Sequence, residues 1–210
     1  MRTLYGKKVL KVLMDKVYVI GKDSVPQNIK LGAGEKLKLT FVVLQGVDCD
    51  LPLEIDLDGE GTEVDIAGLY ICNGSQKVGI NINMRHNSGS CISRQMFKGI
   101  IGDSARAEFN GLIYARKDAR KTRAYQESHT ILLSREAFAE SKPQLEIYAD
   151  DVECSHGATT GFLSTEERFY MQSRGIPEKE ARRLQMISFL SEVAQRLPEK
   201  LKEEIYDSLS

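Results

Sequence analysis

No stretch of this chain approaches the roughly 20 consecutive apolar residues that a bilayer-spanning helix needs, so no membrane segment is expected. The opening stretch, MRTLYGKKVLKVLMDKVYVIGK, carries basic residues, but Lys11, Asp15 and Lys16 break its apolar run and no small-residue cleavage site follows. A secretory signal is therefore not expected there. The four cysteines, Cys49, Cys72, Cys91 and Cys154, lie far apart. None of their spacings matches a zinc finger or a ferredoxin, which argues against a self-contained cysteine cluster. Without a secretory signal they read as reduced thiols and the chain as cytoplasmic. Charge of one sign is also missing: the net charge is −1, giving no global attraction to nucleic acid or an anionic membrane. A phosphate loop of the form GxxxxGK[ST] is absent, so this chain is not itself an ATPase of that type.

What is present is a quasi-repeat. Turn residues recur at Gly34, Gly46, Gly59, Gly74, Gly89, Gly102 and Asp118, at spacings of 12, 13, 15, 15, 13 and 16 residues. Between them run short alternating stretches. In KLKLTFVV, Leu37, Leu39, Phe41 and Val43 share one face; in VGININM, Val78, Ile80, Ile82 and Met84 do so while Asn81 and Asn83 point away. Period-two alternation of this length marks half-buried strands. No helical pattern interrupts the region from Lys36 to Tyr148, which disfavours parallel strands joined by helical crossovers. A sandwich with hairpins and a parallel β-helix of near-equal rungs both fit. Asn73-Gly74 is the one strong hairpin signal.

After Gly161 the punctuation changes. Ser164-Thr165-Glu166-Glu167 forms a capping box. The helix it opens should end at Gly175, and Pro177 suits a first helical position. From there Ala181, Leu184, Ile187, Leu190, Ala194 and Leu197 make an amphipathic stripe, and Pro198 opens a third segment with Leu201, Ile205 and Leu209 on one face.

Three runs have a chemical look. Cys154 and His156, in DDVECSHGATTGF, are alternate residues whose side chains project to one side of an extended segment, as metal ligands would. Two ligands do not close an iron–sulfur site, so the remainder must come from another chain. The basic run ARKDARKTR, Ala115 to Arg123, lacks interleaved aromatics and reads as a solvated turn. The acidic run EIDLDGEGTEVD matches no calcium-loop spacing and reads as an exposed strand face. A Cys154–His156 nucleophile–base pair has no orienting third group, and no carboxylate cleft marks a polysaccharide enzyme.

KPQLEIYADDVECSHGATTG, followed by FYMQSRGIPEKEARRLQMISFLSEV, closely resembles the C-terminal core of the SufB/SufD family of iron–sulfur cluster assembly scaffolds, and GLIYARKDARKTRAYQESHTILLS resembles the same family's last β-helix turns. The resemblance runs from about Leu37 to Val193. It implies an all-β fold with a helical appendage: a right-handed parallel β-helix over residues 1–160, then a short α-helical segment over 161–210. It also implies a non-catalytic scaffold that docks a SufC-type ABC ATPase and pairs with a SufB-type, or a second SufD-type, scaffold. No nucleic acid is implied. SufB members carry a cysteine where this chain has Ser128 and a glutamate where it has Gly157, so the resemblance is SufD-like. Family members are about twice as long, and this chain begins inside what should be the core. By resemblance His156 faces the partner scaffold, Cys154 is a candidate ligand of a transient interfacial cluster, and Arg174, Gly175, Ile176, Pro177, Ala181 and Arg182 contact the ATPase. The alternative is a standalone homodimer in which two copies of Cys154 and His156 bind a metal or cluster across a two-fold axis.

Overall fold

A computed structural model describes residues 13–209. The basic opening stretch weighed above as a secretory signal lies largely outside them. Eleven strands precede three helices. β1 (Leu13–Val19), β3 (Lys36–Val43), β5 (Glu63–Cys72), β7 (Ile92–Ile101), β9 (Arg123–Leu132) and β11 (Glu153–Phe162) form one sheet in that order. β2 (Asn28–Leu31), β4 (Cys49–Leu57), β6 (Lys77–His86), β8 (Arg106–Ala115) and β10 (Phe138–Ile147) form the other. The strand pairs of both ladders are parallel. Consecutive strands therefore alternate between two facing sheets, which is a parallel β-helix. The short spacings between turn residues are half-rungs; register partners in successive rungs lie 23 to 32 positions apart.

Alternation decides which side chains line the interior. Leu51, Leu53, Ile55 and Leu57 of β4 and Val78, Ile80, Ile82 and Met84 of β6 are at most 3% exposed. Burying each such side chain stabilises the fold by about 1.5–3 kcal/mol. Outward positions carry the charge. Glu54 and Asp56 both meet Arg85, at 2.7 and 3.6 Å, so the acidic run is an ion-paired outer face as expected.

Glycine is used where the rung must bend or another ring must pass. Gly61, Ser90, Lys121 and Asp151, each two residues before a strand of the first sheet, have φ of 69, 59, 58 and 57°. The backbone ladder continues through this corner, Ser90 N–H donating to the Arg120 carbonyl and Lys121 N–H to that of Asp151. Gly99 stands beside Tyr70 in register, and a Cβ there would lie 1.9 Å from the Tyr70 ring. The ring crosses that gap to reach Thr130 Oγ1 at 2.8 Å. Asn73-Gly74 does not make a hairpin: it joins β5 to β6, which lie in different sheets. Gly74 supplies a left-handed corner there, at φ 60°.

The helices α1 (Thr165–Ser173), α2 (Glu178–Ala194) and α3 (Glu199–Asp207) fold back over the outer face of the first sheet. Met186, Leu190, Val193 and Ala194 of α2 pack with Val42, Ala67, Leu69, Ile71 and Ile100. Ser164 Oγ accepts from Glu167 N–H at 3.2 Å, completing half of the capping box. The Glu167 carboxylate instead accepts from Gln185 Nε2 at 2.8 Å. Gly175, at φ 87°, ends α1 with Gly175 N–H to the Gln172 carbonyl and Ile176 N–H to that of Met171, a Schellman arrangement. Pro177 is the N-cap of α2 rather than its first helical residue. The stripe is also rotated from the one read in the sequence. Met186 and Val193 are buried while Leu184 is 37% exposed, because the sheet meets α2 on a face that the helix's own periodicity does not specify.

His86 closes β6 inside the core, fully buried, with Nε2 2.9 Å from Ser93 Oγ. Burial lowers its pKa from the ordinary 6.5 to about 4. The unfolded chain therefore takes up a proton between these values that the folded chain does not. The resulting stability is complete above pH 6.5 and is lost as pH falls to 4. Urea denaturation at pH 7 and at pH 4 should differ by about 3 kcal/mol more in the parent than in His86→Gln; equal differences would show that His86 carries no such linkage.

Candidate functional site

The β-helix ends at β10 and β11, and no further rung among the described residues covers them. Both strands present an unpaired edge, a ready template for another strand. In register, Cys154 lies beside Ala124 and His156 beside Gln126. Ala124 and Gln126 are both buried inward, so Cys154 and His156 share the inner side of the sheet, as their spacing requires. Their surroundings differ. Cys154 is half-buried and packs on the edge of the core, whereas His156 is exposed at the open end.

Burial, and secondarily the neighbouring Glu153 carboxylate, push the Cys154 thiol up, offset in part by a backbone hydrogen bond with Ala124. It is therefore a protonated thiol at neutral pH and not an activated nucleophile. The other three thiols are buried, Cys49 raised to about 11 and Cys72 to about 12 chiefly by desolvation. Among the described residues, no group of three His, Cys, Asp or Glu side chains stands close enough to hold a metal ion. Cys154 and His156 thus supply two donors at an open end. A cluster carried there needs donors from a second chain.

Beside His156 in sequence, the outer face of the same sheet carries a polar set that composition did not flag. Tyr125 donates to Glu153 Oε1 at 2.6 Å, and His129 Nδ1 lies 2.8 Å from Thr159 Oγ1 with Nε2 3.4 Å from Glu127. Only strand register reveals that residues 28 and 30 positions apart meet here.

A second feature flanks the helices. A groove of about 790 Å³ opens between the end of β11, α1 and α2, lined by Phe162, Tyr170, Met171, Leu184 and Phe189 with Glu166 and Glu167 at its lip. No residue of α1 is buried, and Phe162, Phe169 and Tyr170 are 60 to 71% exposed. Such a cluster of exposed aromatics is characteristic of an interaction surface. Arg174, 5.4 Å from the Tyr170 ring centroid, and Gly175 and Pro177 are exposed in the turn beside it. Ile176 is half-buried; Ala181 is fully buried; Arg182 faces the opposite side of α2, towards Asp103 and Ser134. The six residues therefore do not form one patch. The groove's aromatics, Phe162 and Tyr170, were missed because their exposure depends on α1 standing clear of the sheet. The basic run between β8 and β9 ends against the start of β11, with Glu153 N–H donating to the Thr122 carbonyl and Arg123 beside Glu153 in register. No helix among the described residues is long and apolar enough to cross a membrane.

With Cys154 as the only thiol not buried, a thiol reagent should label one cysteine per folded chain, and Cys154→Ser should reduce that to none. Labelling of two or more in the folded state would contradict the burial of Cys49, Cys72 and Cys91.

Residues 23–189 match the family model described as "SUF system FeS cluster assembly, SufBD core domain". The chain is 39% identical over 150 residues to the iron-sulfur cluster assembly protein SufD of Escherichia coli strain K12, covering 71% of this chain and 36% of that one. It is 33% identical over 167 residues to SufD of Bacillus subtilis strain 168, covering 80% and 38%. It is 36% identical over 145 residues to the chloroplastic protein ABCI7 of Arabidopsis thaliana, covering 68% and 30%. The matches therefore span 30 to 38% of the length of these relatives.

Proposed function

The chain belongs to the SufBD family of iron–sulfur cluster assembly proteins, and we propose that it is a SufD-type scaffold without catalytic activity of its own. Its open β-helix end pairs with a second scaffold, and its helical segment docks a SufC-type ATPase. The observation that carries this reading is the combination, at one end of the molecule, of two unpaired strand edges with an exposed His156 and a half-buried Cys154. A SufB-type or second SufD-type partner adding strands to β10 and β11 would cover these edges and bring its own donors to His156. A nascent iron–sulfur cluster is the cargo of that interface, with Cys154 as a further ligand once its thiol is deprotonated. The exposed aromatic groove of Phe162, Tyr170 and Leu184 is the ATPase-facing surface, with Arg174, Gly175 and Pro177 at its margin. Ala181 supports that surface from beneath, its methyl group fully buried.

The same open end also supports pairing with a second copy. Two donors from each chain would supply the four that a cluster or zinc ion takes.

Two substitutions separate the parts. An anaerobic pull-down of the tagged chain from its own cells should retain a SufC-type ATPase and a SufB-type scaffold. Leu184→Glu should lose the ATPase by at least about tenfold while keeping the scaffold, since it places a charge in an apolar contact. His156→Ala should retain both proteins yet slow cluster assembly in cells. Assembly at the parental rate in His156→Ala would remove the histidine from the function, and recovery of the chain only as a dimer of itself would favour the second reading.

A further inference from the structure

The interior of the β-helix is apolar along most of its length but turns polar in its last rungs. Ser93 and Gln95 of β7, and Gln126, Ser128 and Thr130 of β9, are all at most 5% exposed. Strand register arranges them in columns: Gln95 beside Gln126 beside His156, and Phe97 beside Ser128 beside Ala158. Within the first column Gln126 Nε2 donates to Gln95 Oε1 at 3.1 Å. That bond places the Nε2 side of the Gln126 amide against Gln95, and Gln126 Oε1 and Gln95 Nε2 are both buried without a partner. A buried carbonyl left unpaired costs about 1–3 kcal/mol, so an acceptor in this position calls for a donor. Ser128 Oγ is also unpartnered, but its neighbour in the column is Ala158, which has none to give.

The opposite sheet makes room for this amide. Gln126 spans the core to Gly111 of β8, where a Cβ would lie 2.3 Å from Gln126 Nε2 and 2.6 Å from its Cδ. Any other residue at 111 would displace the side chain, so the amide occupies a prepared slot.

We propose that Gln126 is a positioning residue for His156, its buried side-chain carbonyl accepting the N–H of the imidazole and turning the second ring nitrogen outward to the open end. This rests on the reading of His156 as the interface group. A hydrogen bond on one ring nitrogen fixes the tautomer and raises the basicity of the other, as carboxylates and carbonyls do behind metal-bound histidines. In this β-helix the rung beneath places such an acceptor in the column of His156. Gln95, which orients Gln126, extends the arrangement one rung deeper.

The test is direct because the chain has three histidines. In the ¹⁵N-labelled protein at pH 8, above the ordinary imidazole pKa of about 6.5, a ring N–H of His156 should be visible, assigned by its loss in His156→Ala. Its exchange with water should accelerate about tenfold in Gln126→Leu, which has similar volume and no acceptor. Gly111→Ala, which forces the amide to shift while leaving both partners intact, should accelerate it as well. Free exchange of that proton in the parent, or equal protection in Gln126→Leu and Gly111→Ala, would overturn the proposal. Cluster assembly in cells should also fall in Gln126→Leu, and parental assembly there despite loss of the bond would overturn the positioning role. If the bond is present but His156→Ala assembles clusters at the parental rate, the positioning stands and the assigned function of His156 fails.

Discussion

Each inward side chain of this β-helix packs on its register partner in the next rung, 23 to 32 positions away, and the corner backbone bonds from rung to rung as well. Every other feature depends on that repeated contact. It requires strands of equal length, because a rung that ran long would put its corner out of register with the next. From β5 to β11 each strand has ten residues. It also tolerates left-handed residues other than glycine at Ser90, Lys121 and Asp151. Such residues cost about 1 kcal/mol each, and the corner ladder holds them in place.

Stacking has an end, and the end is where chemistry collects. A rung in the middle is covered on both sides, so an inward polar group there costs free energy unless it is paired. The last rung is covered on one side only. β11 accordingly carries Cys154, His156 and Thr160 on its inner side, and β9 beneath it turns to Gln126, Ser128 and Thr130. The polar interior and the open strand edges have one origin, an unfinished stack, and a partner that completes the stack would satisfy both.

The helices answer a different demand. Val42, Ala67, Leu69, Ile71 and Ile100 make part of the first sheet's outer face apolar, and α2 and α3 cover it. Arg196 anchors the end of α2 to Asp65 of β5 at 2.9 Å, and Lys98 joins Glu192 at the same distance. α1 is left outside this contact, held by Gln185 to the Ser164 carbonyl and to Glu167. It borders the groove instead of packing into the sheet.

The local grammar can be read along the chain: alternation along KLKLTFVV and VGININM, glycines at the corners, the Ser164 cap and the Gly175 stop. These are legible because each is a contact within a few residues along the chain. It also placed Cys154 and His156 on one side of one strand, since period two demands it. The tertiary structure decided what lies a rung away or across a face. Asn73-Gly74 became a corner because β6 found its partners in β4 and β8; Leu184 was exposed because the sheet chose the Met186 side of α2. Gln126 came to lie under His156 through a register of 30 residues that no short-range pattern encodes. Pairing over that distance is set by the whole stack at once, which is why the residues were readable and their meeting was not.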